Sequence, residues 1–398
     1  MWRDPMRAWV PWLPALLIAV LIAVYAGAAG AETGYWFTRT RFTLESGFGY
    51  DNNVYELNER TGDAVLLPFS GDLRHDVYRS SANRFRLYAG LWGSRYVEVG
   101  EDANTTTLRL KAAFQRKLFD ASVGRLDLEL AGIWRKHNQA YMSRIAGEEF
   151  TVDVDDEEIS LRDRFNSSTL SGEIAADYRS KLGIEVVAAA EIGERNYGED
   201  YDDIATVESL DYGFQIWRFE LIRPTGWGRI RGAYEYAKRE YREYSAIDSS
   251  GALVEDVQRE YQHHGLFGDL DIKLSKAWQL TGRVRYKVRR DQYVGYYDYD
   301  QWVAGPSIEG SGLGRYRLRA SYSWSETTYP RAHVSLEPDL PLRKEVMHLA
   351  DAEVSYGMSR ALSVFLGGQA VWYDSRNELY TYDRLRTWLG VRYTGGWR

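Results

Sequence analysis

Residues 314–326 read Gly-Arg-Tyr-Arg-Leu-Arg-Ala-Ser-Tyr-Ser-Trp-Ser-Glu. Tyr316, Leu318, Ala320, Tyr322 and Trp324 share one parity, and Arg315, Arg317, Arg319, Ser321 and Ser323 share the other. Successive side chains of a β-strand point to opposite faces, so this stretch is a strand with one apolar and one charged face.

The pattern recurs along the chain. Leu280, Gly282, Val284, Tyr286 and Val288 alternate with Thr281, Arg283, Arg285, Lys287 and Arg289. Leu108, Leu110, Ala112 and Phe114 alternate with Thr107, Arg109, Lys111 and Gln115, and Leu266, Leu270, Ile272 and Leu274 with Asp269, Asp271 and Lys273. These runs are about 12 to 15 residues long, against about 5 or 6 for strands of soluble proteins. A tilted strand crosses a bilayer in about 9 to 11 residues, and the surplus can project beyond the headgroups.

Two kinds of connector alternate. Short ones lie at 79–83, 119–124, 180–183, 223–226, 275–278, 310–314 and 359–361. Longer, polar, Tyr-rich ones lie at 52–63, 98–103, 138–164, 198–206, 242–257, 293–298, 327–345 and 375–382. Seven turns and eight loops separate 16 strands. These fall near 35–51, 64–79, 83–97, 104–118, 124–137, 165–179, 183–197, 207–222, 227–241, 258–275, 278–292, 299–310, 313–326, 346–358, 361–374 and 383–395, with Pro68 and Gly71 interrupting the second. The fold class is all-β: an antiparallel transmembrane β-barrel with short periplasmic turns and longer extracellular loops. An open edge in hydrocarbon leaves backbone groups unpaired, so the first strand must pair with the last. In that last strand Leu385, Thr387, Leu389, Val391 and Tyr393 should face lipid.

The first 31 residues differ from the rest. Arg3 and Arg7 precede an apolar run from Leu13 to Tyr25, followed by the small residues Ala26 to Ala31. This is the order of a secretory signal peptide, so residues 1–31 are expected to be removed and 32–398 to form the barrel. Without Arg3, Asp4 and Arg7 the remainder holds 48 basic and 56 acidic residues. That balance disfavours nucleic acid as a partner. The chain has no cysteine, which suits an oxidising periplasmic route.

Sixteen strands enclose an aqueous interior unless something plugs it. Loop 138–164 is the large candidate for an inward constriction. It carries Glu148, Glu149, Asp153, Asp155, Asp156, Glu157 and Glu158, whose spacing matches no calcium loop, so a solvated acidic loop is favoured and no metal is assigned. On the interior face, Arg283, Arg285, Lys287, Arg289, Arg317 and Arg319 are the candidate pore-lining bases, and Asp269, Asp271, Asp351 and Glu353 the candidate pore-lining acids. Register across the 275–278 turn is expected to set Asp271 beside Arg283 and Asp269 near Arg285. Either the charges pair and brace the wall, or an unpaired ladder around Arg285, Lys287, Arg289, Arg317 and Arg319 attracts anions, because segment 299–310 offers few acids. Trp92, Trp134, Tyr322, Trp324, Trp372 and Tyr373 are assigned to interfacial girdles. Tyr293, Tyr296, Tyr297 and Tyr299 could stack on sugar rings.

The segment Gly47-Phe-Gly-Tyr-Asp-Asn-Asn-Val54 resembles the Gly-x-Asp-[Ser/Asn]-Asn-Val opening of outer-membrane β-barrel porins linked to capsule and exopolysaccharide systems. Similar openings occur in barrels that assemble surface lipoproteins. Gly390 and Tyr393 are similar to part of the signal read by the barrel-assembly machinery, although Gly395 stands where a last aromatic is expected and Trp397 comes two later. The resemblance implies polysaccharide passage, with a periplasmic export partner, since no helical-repeat arm is present.

The expected function is therefore a pore, with outer-membrane lipid and the assembly machinery as partners and the oligomeric state open. A surface adhesion or assembly barrel and an outer-membrane hydrolase are the alternatives. The histidines, His75, His137, His263, His264, His333 and His348, are dispersed and form no triad order, so no catalytic residue and no cofactor are assigned.

Overall fold

The computed structural model describes residues 35–54, 63–97, 104–139, 151–154, 157–160, 165–197, 210–248, 252–333, 341–376 and 381–397. The expected signal segment and most of the acidic part of loop 138–164 lie outside these residues.

The first five strands are β1 (Tyr35–Asp51), β2 (Ala64–Arg79), β3 (Asn83–Tyr96), β4 (Thr105–Ala121) and β5 (Gly124–Gln139). A small hairpin, β6 (Thr151–Val154) and β7 (Glu157–Ser160), follows within loop 138–164. Then come β8 (Ser167–Ser180), β9 (Glu185–Tyr197), β10 (Tyr212–Thr225), β11 (Gly228–Ile247) and β12 (Leu253–Lys273). The wall is completed by β13 (Trp278–Asp291), β14 (Tyr299–Leu313), β15 (Tyr316–His333), β16 (Leu342–Gly357), β17 (Leu362–Ser375) and β18 (Tyr382–Trp397). All but β6 and β7 form one closed antiparallel barrel of 16 strands, sealed by β1 on β18 from Thr40 opposite Trp397 to Asp51 opposite Arg386.

The expected strands all form; β4, β10 and β14 run further into their turns than expected, to Ala121, Thr225 and Leu313, and the larger differences lie at the loop end. β11 and β12 run on as a ribbon through most of the expected loop 242–257, and β15 continues to His333. Pro68 does not break β2. The β1–β2 ladder opens between Ser46–Phe69 and Gly49–Leu66, and Gly47 leaves room there, since a Cβ on it would stand 3.2 Å from the Pro68 ring. A strand tolerates proline where the ladder is already interrupted.

Serine fixes several short turns. The Oγ of Ser80, Ser275 and Ser359 accepts hydrogen bonds from the two amides that start the next strand, at Ala82 and Asn83, Ala277 and Trp278, and Ala361 and Leu362. A hydroxyl that takes up two amides lets the chain reverse within a few residues.

The two faces differ as alternation requires. Leu266, Leu270, Val284, Tyr316, Leu366, Leu385, Leu389 and Val391 lie exposed on the outer face. The opposite parity faces the enclosed space, where residues from β5 round to β14 line a common cavity. A closed barrel with an apolar exterior satisfies every backbone group within hydrocarbon, and the protein is an outer-membrane barrel. Trp134, Tyr322, Trp324 and Trp372 share the outer parity. Trp92 and Tyr373, expected in the same girdles, face inward. Trp92 shares its parity with Tyr88 and Gly90, opposite that of the outward Leu87 and Leu91, and Tyr373 stacks on Tyr382 with ring centroids 5.2 Å apart.

Candidate functional site

The inward face carries most of the wall's charge, and its ion pairs concentrate between the middle of the barrel and the turn ends. Arg231 bridges Glu220 and Asp269, and Arg218 meets Glu235 at 2.7 Å. Arg86 and Lys111 share Glu129, and Lys111 also reaches Glu173. Arg392 of β18 joins Glu45 of β1 to Glu353 of β16, reaching over β17.

Most of the acids expected to line the pore are committed to such partners. Asp271 accepts from Arg229 and from Thr281, and Asp269 from Arg231. Asp351 accepts from Gln369 at 2.8 Å and from Ser321 at 3.4 Å. The expected register is off by two: Asp269 faces Arg283, and Asp271 faces Thr281. The cause is the turn. Ser275 draws it tight, so Lys273 already pairs with Gln279.

The expected basic ladder divides. Arg317 is paired with Glu309 at 2.7 Å, so segment 299–310 does supply an acid, and Arg319 sits in register between Glu309 and Glu353. Arg283 forms no ion pair among the described residues, and Arg285 lies over the Phe267 ring. Lys287 and Arg289 instead join a basic arc towards the loop end that includes Arg109, Arg135, Arg195 and Arg239. None of these six forms an ion pair with a carboxylate among the described residues. Arg109 and Arg135 stand directly opposite each other on β4 and β5, and the Nε of each is buried without a hydrogen-bond partner. Like charges facing across a ladder destabilise it, by up to about 1 kcal/mol.

Aromatic rings hold the arc open. Arg195 and Arg239 lie over Tyr212 at 5.9 and 5.3 Å, and Arg289 sits between Tyr261 and Tyr299 at 4.7 and 4.6 Å. Cation–π contact fixes a guanidinium without cancelling its charge. Arg135, Arg195, Arg239, Lys287 and Arg289 line a cavity of about 440 Å3.

The 292–298 loop reaches this arc: Arg289 donates to the Tyr297 carbonyl at 2.6 Å, and Arg259 stacks on Tyr297 and Tyr244. Tyr296 is buried with Ile247 and Ala332. Of the four tyrosines read as possible sugar platforms, Tyr296, Tyr297 and Tyr299 are thus engaged in packing, and Tyr293 is exposed. Sequence reading had noted Arg109 but missed Arg135, Arg195 and Arg239. The tight 121–124 turn and the bulge between Lys117 and Phe119 together set the register that brings Arg135 opposite Arg109, and alternation does not express that bulge.

The histidines are spread around the wall. His75 and His137 bond threonine hydroxyls, and His264 and His348 bond the hydroxyls of Tyr234 and Tyr322. No group of acids and histidines with metal-site geometry occurs among the described residues.

No family model and no curated protein matches the chain. Among solved structures it is similar to OccAB1 of Acinetobacter baumannii, at 9% identity over 92% of this chain and 99% of that one, with a TM-score of 0.47. It is also similar to an anion-selective porin from Comamonas acidovorans, at 10% identity over 91% and 99% with a TM-score of 0.43. A loop L8 deletion mutant of OmpT, an outer membrane protein of Vibrio cholerae, matches at 7% identity over 92% and 100% with a TM-score of 0.46. At that distance the neighbours say nothing of solute or selectivity, and the wall residues of this chain carry the functional reading.

Proposed function

We propose that the barrel is a passive, non-enzymatic pore of the outer membrane that favours anions, with acidic exopolysaccharide or its fragments among its solutes. The observation that carries this reading is the basic arc of Arg109, Arg135, Arg195, Arg239, Lys287 and Arg289, which lacks carboxylate partners among the described residues. Rings of arginine and lysine set the selectivity of aqueous pores, because walls of low dielectric focus their field on the lumen. The paired charges nearer the turn end brace the wall and add little net field. The non-enzymatic part is supported by the bonding of His75, His137, His264 and His348 to threonine and tyrosine hydroxyls at separate places on the wall.

Reversal potentials of the purified protein in planar bilayers under a potassium chloride gradient test the proposal. Chloride should pass in preference to potassium, and neutralising Arg135, Arg195 and Arg239 together should reduce that preference. A closed bilayer, or a cation preference in the unaltered protein, would overturn it.

A further inference from the structure

A second feature of the wall lies beside the arc. Strands β1 to β4 and the end of β18 line an alcove of about 790 Å3, with Arg41, Asp72, Arg74, Tyr88, Trp92 and Arg109 on its inward side. The volume is in the range of small-molecule sites, about 300–1,000 Å3. Its floor is an aromatic shelf. Trp92 is 42% exposed, although it points into the barrel. A Cβ on Gly90 would stand 3.0 Å from the indole, so the ring lies along the wall over the bare glycine and presents its other face to the lumen. Tyr88 continues the shelf, with Arg74 stacked on it at 5.5 Å.

The rim is charged and unsatisfied. Arg41 and Arg74 face each other across β1 and β2, a second like-charge pair. Asp72 faces Gly90, and Gly90 faces Arg109. Among the described residues, Arg41, Asp72, Arg74 and Arg109 form no ion pair, and the carboxylate of Asp72 is exposed to the alcove. A free acid standing among free arginines sets Asp72 apart from inward acids such as Glu129, Glu220, Asp269 and Glu353, each of which pairs with a cation. It implies a ligand that needs both.

We infer that this alcove binds a sugar acid, a uronate residue of an anionic saccharide. The apolar face of a pyranose ring stacks on the indole, which offers flat area at low entropic cost. The sugar carboxylate takes paired N–H donors from Arg74 or Arg109, the geometry guanidinium supplies best. The ring hydroxyls donate to Asp72. A flat aromatic carboxylate would leave Asp72 without a donor, and a neutral sugar would leave the arginines without an anion. Because Arg109 belongs both to the alcove and to the arc, a solute drawn in by the arc arrives beside the shelf. The inference rests on the lumen being open to solutes, as proposed above.

The test uses the mature full-length barrel, folded in detergent micelles and in planar bilayers, with trigalacturonate, maltotriose and benzoate as probes. Calorimetric titration in micelles should give a saturable trigalacturonate site at least tenfold tighter than either other probe. Trp92→Ala and Asp72→Asn should each weaken it by roughly tenfold. Trp372→Ala, which removes an indole on the outer face, should not change it. In bilayers trigalacturonate should interrupt the current over the same concentration range. Equal binding of maltotriose or benzoate, or an unchanged affinity in Trp92→Ala, overturns the site. Binding in micelles by a barrel that carries no current refutes the pore and leaves the site standing. Current without binding does the reverse.

Discussion

Arg384 donates to both carboxylate oxygens of Asp51 across the seam that closes the barrel, joining residues 333 apart in the chain. Asp51 is fully buried and also accepts from Arg386 at 2.8 Å and from the Tyr96 hydroxyl at 2.8 Å. Its neighbours extend the clasp. Asn52 exchanges hydrogen bonds with the backbone of Leu385, Asn53 donates to the carbonyl of Asp383, and Val54 packs with Ala64, Leu66 and Tyr96. The Gly47–Val54 segment that resembles porin openings thus has a physical job, which is to lock the loop end of β1 to β18. Replacing Asp51 by asparagine leaves two arginines facing a neutral group. A buried pair that loses one member costs on the order of 3–5 kcal/mol. Asp51→Asn should lower the denaturant midpoint and the temperature at which the barrel loses its compact form in gel electrophoresis. Tyr96→Phe, which deletes one hydroxyl, should cost about 1 kcal/mol. An unchanged midpoint in Asp51→Asn would mean that the clasp does not hold the seam.

That clasp marks what the sequence did and did not disclose. The strands and the β1–β18 closure were legible because lipid and lumen impose opposite demands on alternate residues, and in β18 Leu385, Leu389, Val391 and Tyr393 alternate with Arg384, Arg386 and Arg392 accordingly. Pairing within the lumen was less legible. Whether Asp271 meets Arg283 or Thr281 depends on two residues of turn, and Ser275 decides that through a hydroxyl contact that alternation cannot express. Trp92 was misplaced for a different reason. Its nearness to a strand end outweighed its parity, and the empty inward side of Gly90 that accommodates the indole shows only once β3 is folded.

The turn serines give a local test. Ser275→Ala and Ser359→Ala each leave two strand-initiating amides without their hydroxyl partner. Each should cost about 1 kcal/mol, less where water replaces the hydroxyl. Gly314 has φ +70° with nothing near its missing side chain, so Gly314→Ala should carry a backbone cost alone, about 1 kcal/mol. Denaturant midpoints in one micelle system check all three. A loss several-fold larger in Gly314→Ala would show that the turn makes contacts beyond its own backbone.

Salt should act on selectivity in a predictable way. The arc works through its field, and the screening length falls from about 10 Å at 0.1 M salt to about 3 Å at 1 M. The anion preference should therefore be strong in dilute potassium chloride and fade towards molar salt. Replacing Arg317 and Glu309 together by glutamine should change it little, because the pair at 2.7 Å carries no net charge. Arg135→Gln should change it more, because Arg135 has no such partner among the described residues. Equal effects from removing the neutral pair and from Arg135→Gln would show that selectivity does not rest on the unpaired charge of the arc.

The absence of cysteine makes the two faces of the wall directly testable. Single cysteines can be placed at Arg317 and Leu318, neighbours on β15, and at Asp269 and Leu270, neighbours on β12. Arg317 and Asp269 share the inward parity, whereas Leu318 and Leu270 share the parity of the exposed apolar belt. In liposomes a charged, membrane-impermeant maleimide should label the cysteines at 317 and 269. Those at 318 and 270 should resist it, and a fluorophore attached there before reconstitution should be quenched by brominated lipid. A one-residue slip in strand register would exchange the two outcomes, since it moves every side chain of a strand to the opposite face. Labelling that failed to distinguish neighbouring positions would mean that the strands do not separate lipid from water, and the pore and its lumenal site would fall together.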